Sequence, residues 1–178
     1  EVRVTRVALF PTCVVDAVAP EVGFATARVL TRRGCDVSVA EKTTCCGQPA
    51  WNSGHADAAA LVARTTLAGI EAELADGVDA IVVPAGSCTT MIRVFWPEMF
   101  EGVGQHDAAH RARVVAPKVF ELSEFLTSSA FGDAEGEGPS PTITKRDGSN
   151  TPRHSRRGWC TTGETVVART TVVLGVGG

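Results

Sequence analysis

The 178-residue chain has no surplus of positive charge: 17 Lys and Arg stand against 20 Asp and Glu, the net charge is −3, and the basic residues stay dispersed until residue 145. Nucleic acid is bound through a basic face, so nucleic acid is not an expected partner. No apolar run approaches the roughly 20 residues that span a bilayer, and the opening Glu1-Val2-Arg3-Val4 lacks the charged-then-apolar plan of a signal peptide. These absences predict a cytoplasmic chain without a transmembrane segment, and the Glu at position 1 predicts a trimmed native start. A missing secretory signal also changes how the six cysteines are read. The cytosol keeps thiols reduced, which favours metal or redox chemistry over a disulfide framework. What remains, 44% hydrophobic and 21% charged residues, is material for one globular core.

The apolar pattern alternates between short strands and helices. Residues 3 to 10 are β-branched and apolar and stop at Pro11-Thr12-Cys13, which predicts a buried strand. Pro20-Glu21 opens a helix with Val22, Ala25, Val29 and Leu30 inward, closed by Gly34. Residues 36 to 40 form a second short strand. A long alanine-rich helix from about Ser53 to Ala75 carries Leu61, Val62, Thr65, Ala68 and Ala72 at helical spacing, with Asn52 or Ser53 as its cap. Asp79-Ala80-Ile81-Val82-Val83-Pro84 has the continuous apolar character of a parallel-sheet strand. The next helix has Cys88, Met91, Ile92, Phe95 and Trp96 on one stripe, with Pro97 in or just after its last turn. A last helix is predicted from about Lys118 to Thr127, with Val119, Leu122, Phe125 and Leu126 inward. This alternation predicts a small Rossmann-like α/β domain, a parallel sheet covered by helices, over residues 1–127. Residues 128–178 read as a linker and irregular, largely disordered tail, in which Val166 to Val176 is β-prone and Cys160 a free thiol.

Ligands of such sheets gather beyond the carboxyl ends of the strands. Cys13 follows the first strand, the doublet Cys45-Cys46 the second, and Cys88 the third, so all four thiols are expected on one edge. Two adjacent cysteines seldom both serve a core, and a disulfide between them closes a strained ring. Four thiolates are a common ligand set for an iron-sulfur cluster, which makes Cys13, Cys45, Cys46 and Cys88 the candidate ligands and 4Fe-4S the expected type. Cys88, at a helix start, has a dipole that favours thiolate. Gly47 and Gly86 are expected to allow the backbone to approach a cluster closely, with amides available to donate to the cluster's sulfurs. Cys35 reads as a core residue and His55 as a solvated one; His106 and His110, four apart, lack the neighbouring Glu of a zinc-binding helix.

Leu9-Phe10-Pro11-Thr12-Cys13, Pro20-Glu21-Val22-Gly23, Thr44-Cys45-Cys46-Gly47-Gln48-Pro49-Ala50, Asn52-Ser53-Gly54 and Pro84-Ala85-Gly86-Ser87-Cys88 occur in this order. Together they resemble the lactate utilization protein A family, within the wider group of cysteine-rich CCG domains that includes the iron-sulfur subunit of glycolate oxidase and the CCG-bearing subunit of heterodisulfide reductase. The resemblance runs from about residue 3 to Phe125. It implies an iron-sulfur, electron-transfer subunit of a system oxidising L-lactate to pyruvate, with two partner proteins, one a ferredoxin-like iron-sulfur subunit. It also implies that Cys13, Cys45, Cys46 and Cys88 hold the cluster. Met91 stands where subunits of the heterodisulfide reductase type often close the motif with Cys-x-x-Cys, so a fifth ligand is missing. After Thr144 the sequence departs from the family's second CCG domain and has no second doublet, which implies a truncated or frame-shifted copy. Two other readings stand beside this one. The chain could be a cluster-free docking module for a partner iron-sulfur subunit, or a thiol redox protein reacting through Cys45 or Cys46.

Overall fold

The computed structural model describes residues 4–128; the predicted linker from residue 129 on, the β-prone segment 166–176 and Cys160 lie outside the described residues. Four strands, β1 (Arg6–Leu9), β2 (Asp36–Val39), β3 (Ala80–Val83) and β4 (Val119–Glu121), form a sheet in the order β2-β1-β3-β4. All three pairings are parallel, with Leu9 opposite Val39 and Val82, and Val82 opposite Phe120. The fold is therefore the α/β parallel sheet covered by helices that the sequence predicts.

The period-2 geometry of a strand divides the core into two. On one face Val7, Leu9, Val37, Ala80 and Val82 pack with Ala27 and Leu30 of helix α2 (Pro20–Arg32) and with Phe125 of α8 (Leu122–Thr127). On the other, Ala8, Phe10, Ile81 and Val83 meet the long helix α4 (Ala56–Ala75), together with α6 (Trp96–Gly102) and α7 (His106–Val115). The fully buried Trp96, Phe10 and Phe100 are the largest side chains of this second core. Arg111 of α7 ties to Glu71 of α4 through its Nε at 2.8 Å.

Several local expectations are corrected. The segment from Lys118 is not all helix: Val119–Glu121 adds a fourth strand, and α8 begins only at Leu122. Glu121 makes the switch, because its carboxylate accepts from the Ser123 and Glu124 amides while Glu124 reaches back to the Glu121 amide, a reciprocal capping box. Helix α2 buries Gly23, Thr26, Ala27 and Leu30, leaving Val22, Ala25 and Val29 outward. Helix α4 buries Ala59, Ala60, Ala63, Thr66, Leu67, Gly69 and Ile70, while Leu61, Val62, Thr65 and Ala68 face outward. The reason is close approach. A Cβ at Gly69 would lie 2.8 Å from the Lys42 carbonyl oxygen, so the small-residue face of α4 is the one that the loop after β2 can rest against. Neither Asn52 nor Ser53 caps α4; its N-cap is His55, without a side-chain bond. Two short helices, α1 (Cys13–Val18) and α3 (Gln48–Asn52), are additional to the predicted elements.

The helix that starts at Gly86 does not end near Pro97. α5 (Gly86–Thr90) runs into a π-helical turn over Met91–Phe95 and then into α6. Pro97 has no N–H to give the carbonyl four residues back. The Trp96 amide instead reaches the Met91 carbonyl five residues back, and the widened turn carries the helix through the proline. Cys88, Met91, Ile92 and Trp96 of the predicted stripe are buried, joined by Met99 and Phe100, and Phe95 is half-buried.

Candidate functional site

Beyond the carboxyl ends of β1, β2 and β3 the chain brings Cys13, Cys45, Cys46 and Cys88 together. Cys13 Sγ lies 3.3 Å from Cys45 Sγ, and Cys46 Sγ donates to Cys88 Sγ at 3.3 Å. The doublet joins the two pairs, so the four thiols form one connected chain, with Cys13 and Cys45 half-buried and Cys46 and Cys88 buried. None of the described cysteines is in a disulfide. Cys35 lies apart in the other core, 6% exposed. Burial first, then the adjacent Asp36 carboxylate, pushes its thiol up to about 12.

Each ligand candidate has its own local reason for being there. Cys13 opens α1, and Thr12, the N-cap before it, accepts the Val15 amide on its hydroxyl at 3.3 Å. Thr12 has φ 70° and ψ 153°, a conformation left almost wholly to glycine and costing roughly 1–3 kcal/mol. Thr12→Gly should therefore unfold at higher denaturant than Thr12→Ala, by about 1 kcal/mol, the reverse of the usual order in regular structure; equal midpoints would show that the site stores no strain there.

The doublet turns at Gly47, whose φ of +85° favours glycine. A Cβ there would stand 2.7 Å from the Ala59 carbonyl oxygen of α4, so glycine is required for space as well. The Gly47 amide donates to Cys45 Sγ at 3.4 Å. Cys88 is the third residue of α5. At Gly86 a Cβ would meet no protein atom within 4 Å, and the space beside the helix start is open.

The thiols divide electrostatically into a lowered and a raised pair. Cys45 is held well below the usual thiol range, first by the hydrogen bond with Cys13, then by that with Cys46 and by the Gly47 amide. Cys88 is lowered chiefly by the bond from Cys46. The other two move the other way: Cys13 is raised by its bond with Cys45 and by burial, and Cys46 by its bonds with Cys45 and Cys88 and by burial.

Other candidates stay outside this cluster. His106 bonds the Glu101 carboxylate on an exposed surface, and His110 is exposed on the same helix. Among the described residues no group of three or more His, Cys, Asp or Glu side chains is arranged around a position that holds a metal ion. The four thiols touch one another in sequence instead. For an iron-sulfur cluster the donor set fits in kind and number: four thiols, one already receiving a backbone N–H, walled on the inner side by apolar core. The sequence reading overlooked the polar side chains that hold the doublet's backbone. Thr66 donates to the Cys45 carbonyl at 2.8 Å and the Trp96 indole to the Cys46 carbonyl at 2.8 Å. Their signal is weak in sequence, because an inward Thr on a helix and a Trp in an apolar stripe both resemble ordinary core.

Residues 7–93 match the family model described as "CCG: Cysteine-rich domain". The match takes in just under half of the chain, and its span includes all four clustered thiols. The chain is also similar in sequence to lactate utilization protein A. It is 41% identical over 121 residues to that protein of Anoxybacillus flavithermus, covering 68% of this chain and 48% of the relative. It is 40% identical over 121 residues to those of Bacillus thuringiensis and Bacillus cytotoxicus, covering 68% of this chain and 47% of each. The chain spans about half the length of these curated relatives. No solved structure matches it. Among the described residues no helix is long and apolar enough to cross a membrane.

Proposed function

We propose that this chain is an iron-sulfur-binding, electron-transfer component of a system that oxidises L-lactate to pyruvate, with Cys13, Cys45, Cys46 and Cys88 holding a 4Fe-4S cluster. The observation that carries the reading is the meeting of four thiols from three strand ends in one connected set. A bound cluster would supply reversible one-electron chemistry. The protein's own part is to bring the four thiols together, to donate the Gly47 amide to the Cys45 sulfur, and to keep water from the inner pair with the core around Met91 and Trp96. The homology to lactate utilization protein A supports lactate as the substrate of the system. The expected partners are two further proteins of that system, one a ferredoxin-like iron-sulfur subunit. Residues 1–127 form the CCG unit in this proposal, and residues 128–178 are a linker and tail.

A second reading has its own observation. Contact between Cys13 and Cys45 at 3.3 Å is also suited to a thiol redox protein using the doublet. Anaerobic purification with iron and acid-labile sulfide analysis separates the two. The cluster reading expects about four irons and four sulfides per chain, with a visible band bleached by dithionite. A chain without iron whose Cys45 is alkylated rapidly near neutral pH supports the thiol reading instead. A chain without iron or fast thiol that still binds the partner iron-sulfur subunit supports a docking module.

A further inference from the structure

Residues 41–47 leave the sheet without a strand partner; the Thr43 amide reaches the Ala40 carbonyl at 3.2 Å and the Gly47 carbonyl accepts from Trp51 at 3.0 Å, while other backbone groups are met by side chains. Two carbonyls of this segment are satisfied by groups from two different helices. Thr66 of α4, fully buried, donates its hydroxyl to the Cys45 carbonyl at 2.8 Å and accepts the Thr44 amide at 3.1 Å. Trp96 of α6, also fully buried, donates its indole N–H to the Cys46 carbonyl at 2.8 Å. An indole nitrogen can only donate, so that bond is its single polar commitment.

The geometry points to Thr66 and Trp96 as a pair of positioning residues that aim the Cys46 thiol, and with it the doublet, at Cys88. The Cys45 carbonyl lies in the peptide plane before the Cys46 Cα, and the Cys46 carbonyl lies in the plane after it. Fixing both planes fixes the two soft dihedrals of Cys46 and hence the direction of its Cβ. Cys46 then reaches Cys88 at 3.3 Å while Cys45 reaches Cys13. Adjacent side chains of an unrestrained segment have no reason to keep two separate partners. The π-helical turn before Trp96 belongs to the same arrangement, since it carries Trp96 into the core below the doublet on the helix that also bears Cys88.

Trp96→Phe leaves the buried Cys46 carbonyl without that partner, and Thr66→Val leaves the part-buried Cys45 carbonyl and Thr44 amide without theirs, at about 1–3 kcal/mol per group, small enough for the chain to remain folded. Thr66→Val keeps the shape and loses the hydroxyl; Thr66→Ser keeps the hydroxyl. The inference rests on the cluster reading of the four thiols, so two readouts on the full chain are needed. In iron-loaded protein, Thr66→Val and Trp96→Phe should shorten the half-life of the visible band against a chelator by about tenfold, the lower end of what lost outer partners cost a metal site. Thr66→Ser should stay within about twofold of the parent, since it retains that outer partner. In iron-free protein, alkylation of Cys46 followed by mass spectrometry should speed up by a similar factor in Thr66→Val and Trp96→Phe and not in Thr66→Ser. Unchanged half-life and unchanged Cys46 alkylation in both donor-deleting variants would overturn the inference, as would Thr66→Ser behaving like Thr66→Val. If the parent takes up no iron, the cluster reading fails, and the alkylation series still decides whether Thr66 and Trp96 aim the thiol.

Discussion

Replacing Cys45 and Cys46 together by Ser should leave a folded chain that retains less than about a tenth of the parent's iron, because half of a four-thiolate ligand set is gone. A serine hydroxyl remains protonated where a cysteine supplies thiolate, so it offers iron a poor ligand in the same place. The fold should survive. Cys45 is half-buried, and only Cys46, 1% exposed, puts a new hydroxyl into the core. That costs about 1–3 kcal/mol, against total stabilities of about 5–15 kcal/mol. Cys35→Ser is the matched control, since Cys35 is also buried but sits in the core on the opposite face of the sheet. It should lose comparable stability and no iron. Iron content and thermal unfolding, measured on the three proteins, check the result; full iron in the double variant would remove the doublet from the site.

The second large effect belongs to Gly47. Gly47→Ala should destabilise the chain by about 2–5 kcal/mol, the sum of about 1–2 for a left-handed non-glycine residue and about 1–3 for steric overpacking. The steric part comes from the Ala59 carbonyl oxygen 2.7 Å from the new Cβ, in the backbone of a long helix that cannot step aside alone. Gly34 supplies the comparison. Its φ of +83° matches the +85° of Gly47, yet a Cβ there meets nothing within 4 Å. Gly34→Ala should therefore show only the conformational part. Denaturant melts of the two variants separate close approach from backbone strain, and equal losses would mean that α4 does not press against the doublet turn.

The strands and the thiol edge were legible because their signals are local and redundant. Short strand signals at 6–9, 36–39 and 80–83 are each followed within a few residues by a cysteine, and parallel order places those strand ends together. Helix faces were less legible. In α4 the larger residues Leu61 and Val62 suggest the inward side, but alanines and Gly69 face in because the loop over Lys42 and Gly47 needs the backbone close. Close approach leaves no mark in hydrophobic periodicity. The fourth strand was hidden for a different reason: three residues are too few to show alternation, and the Glu121 capping box that ends the strand reads equally well as the inside of a helix. The clamp by Thr66 and Trp96 could not be read at all from spacing, because it joins residues 21 and 50 positions from their partners.

The central claim is that four cysteines from three strand ends act as one site. It is tested most directly by alkylating the full chain in its iron-loaded and iron-free forms and counting modified cysteines by mass spectrometry. Cys13, Cys45, Cys46 and Cys88 should all be protected in the loaded form and all become reactive when iron is removed, with no such change at Cys35. Free reaction of any one of the four in loaded protein, or protection of only one contact pair, would contradict it.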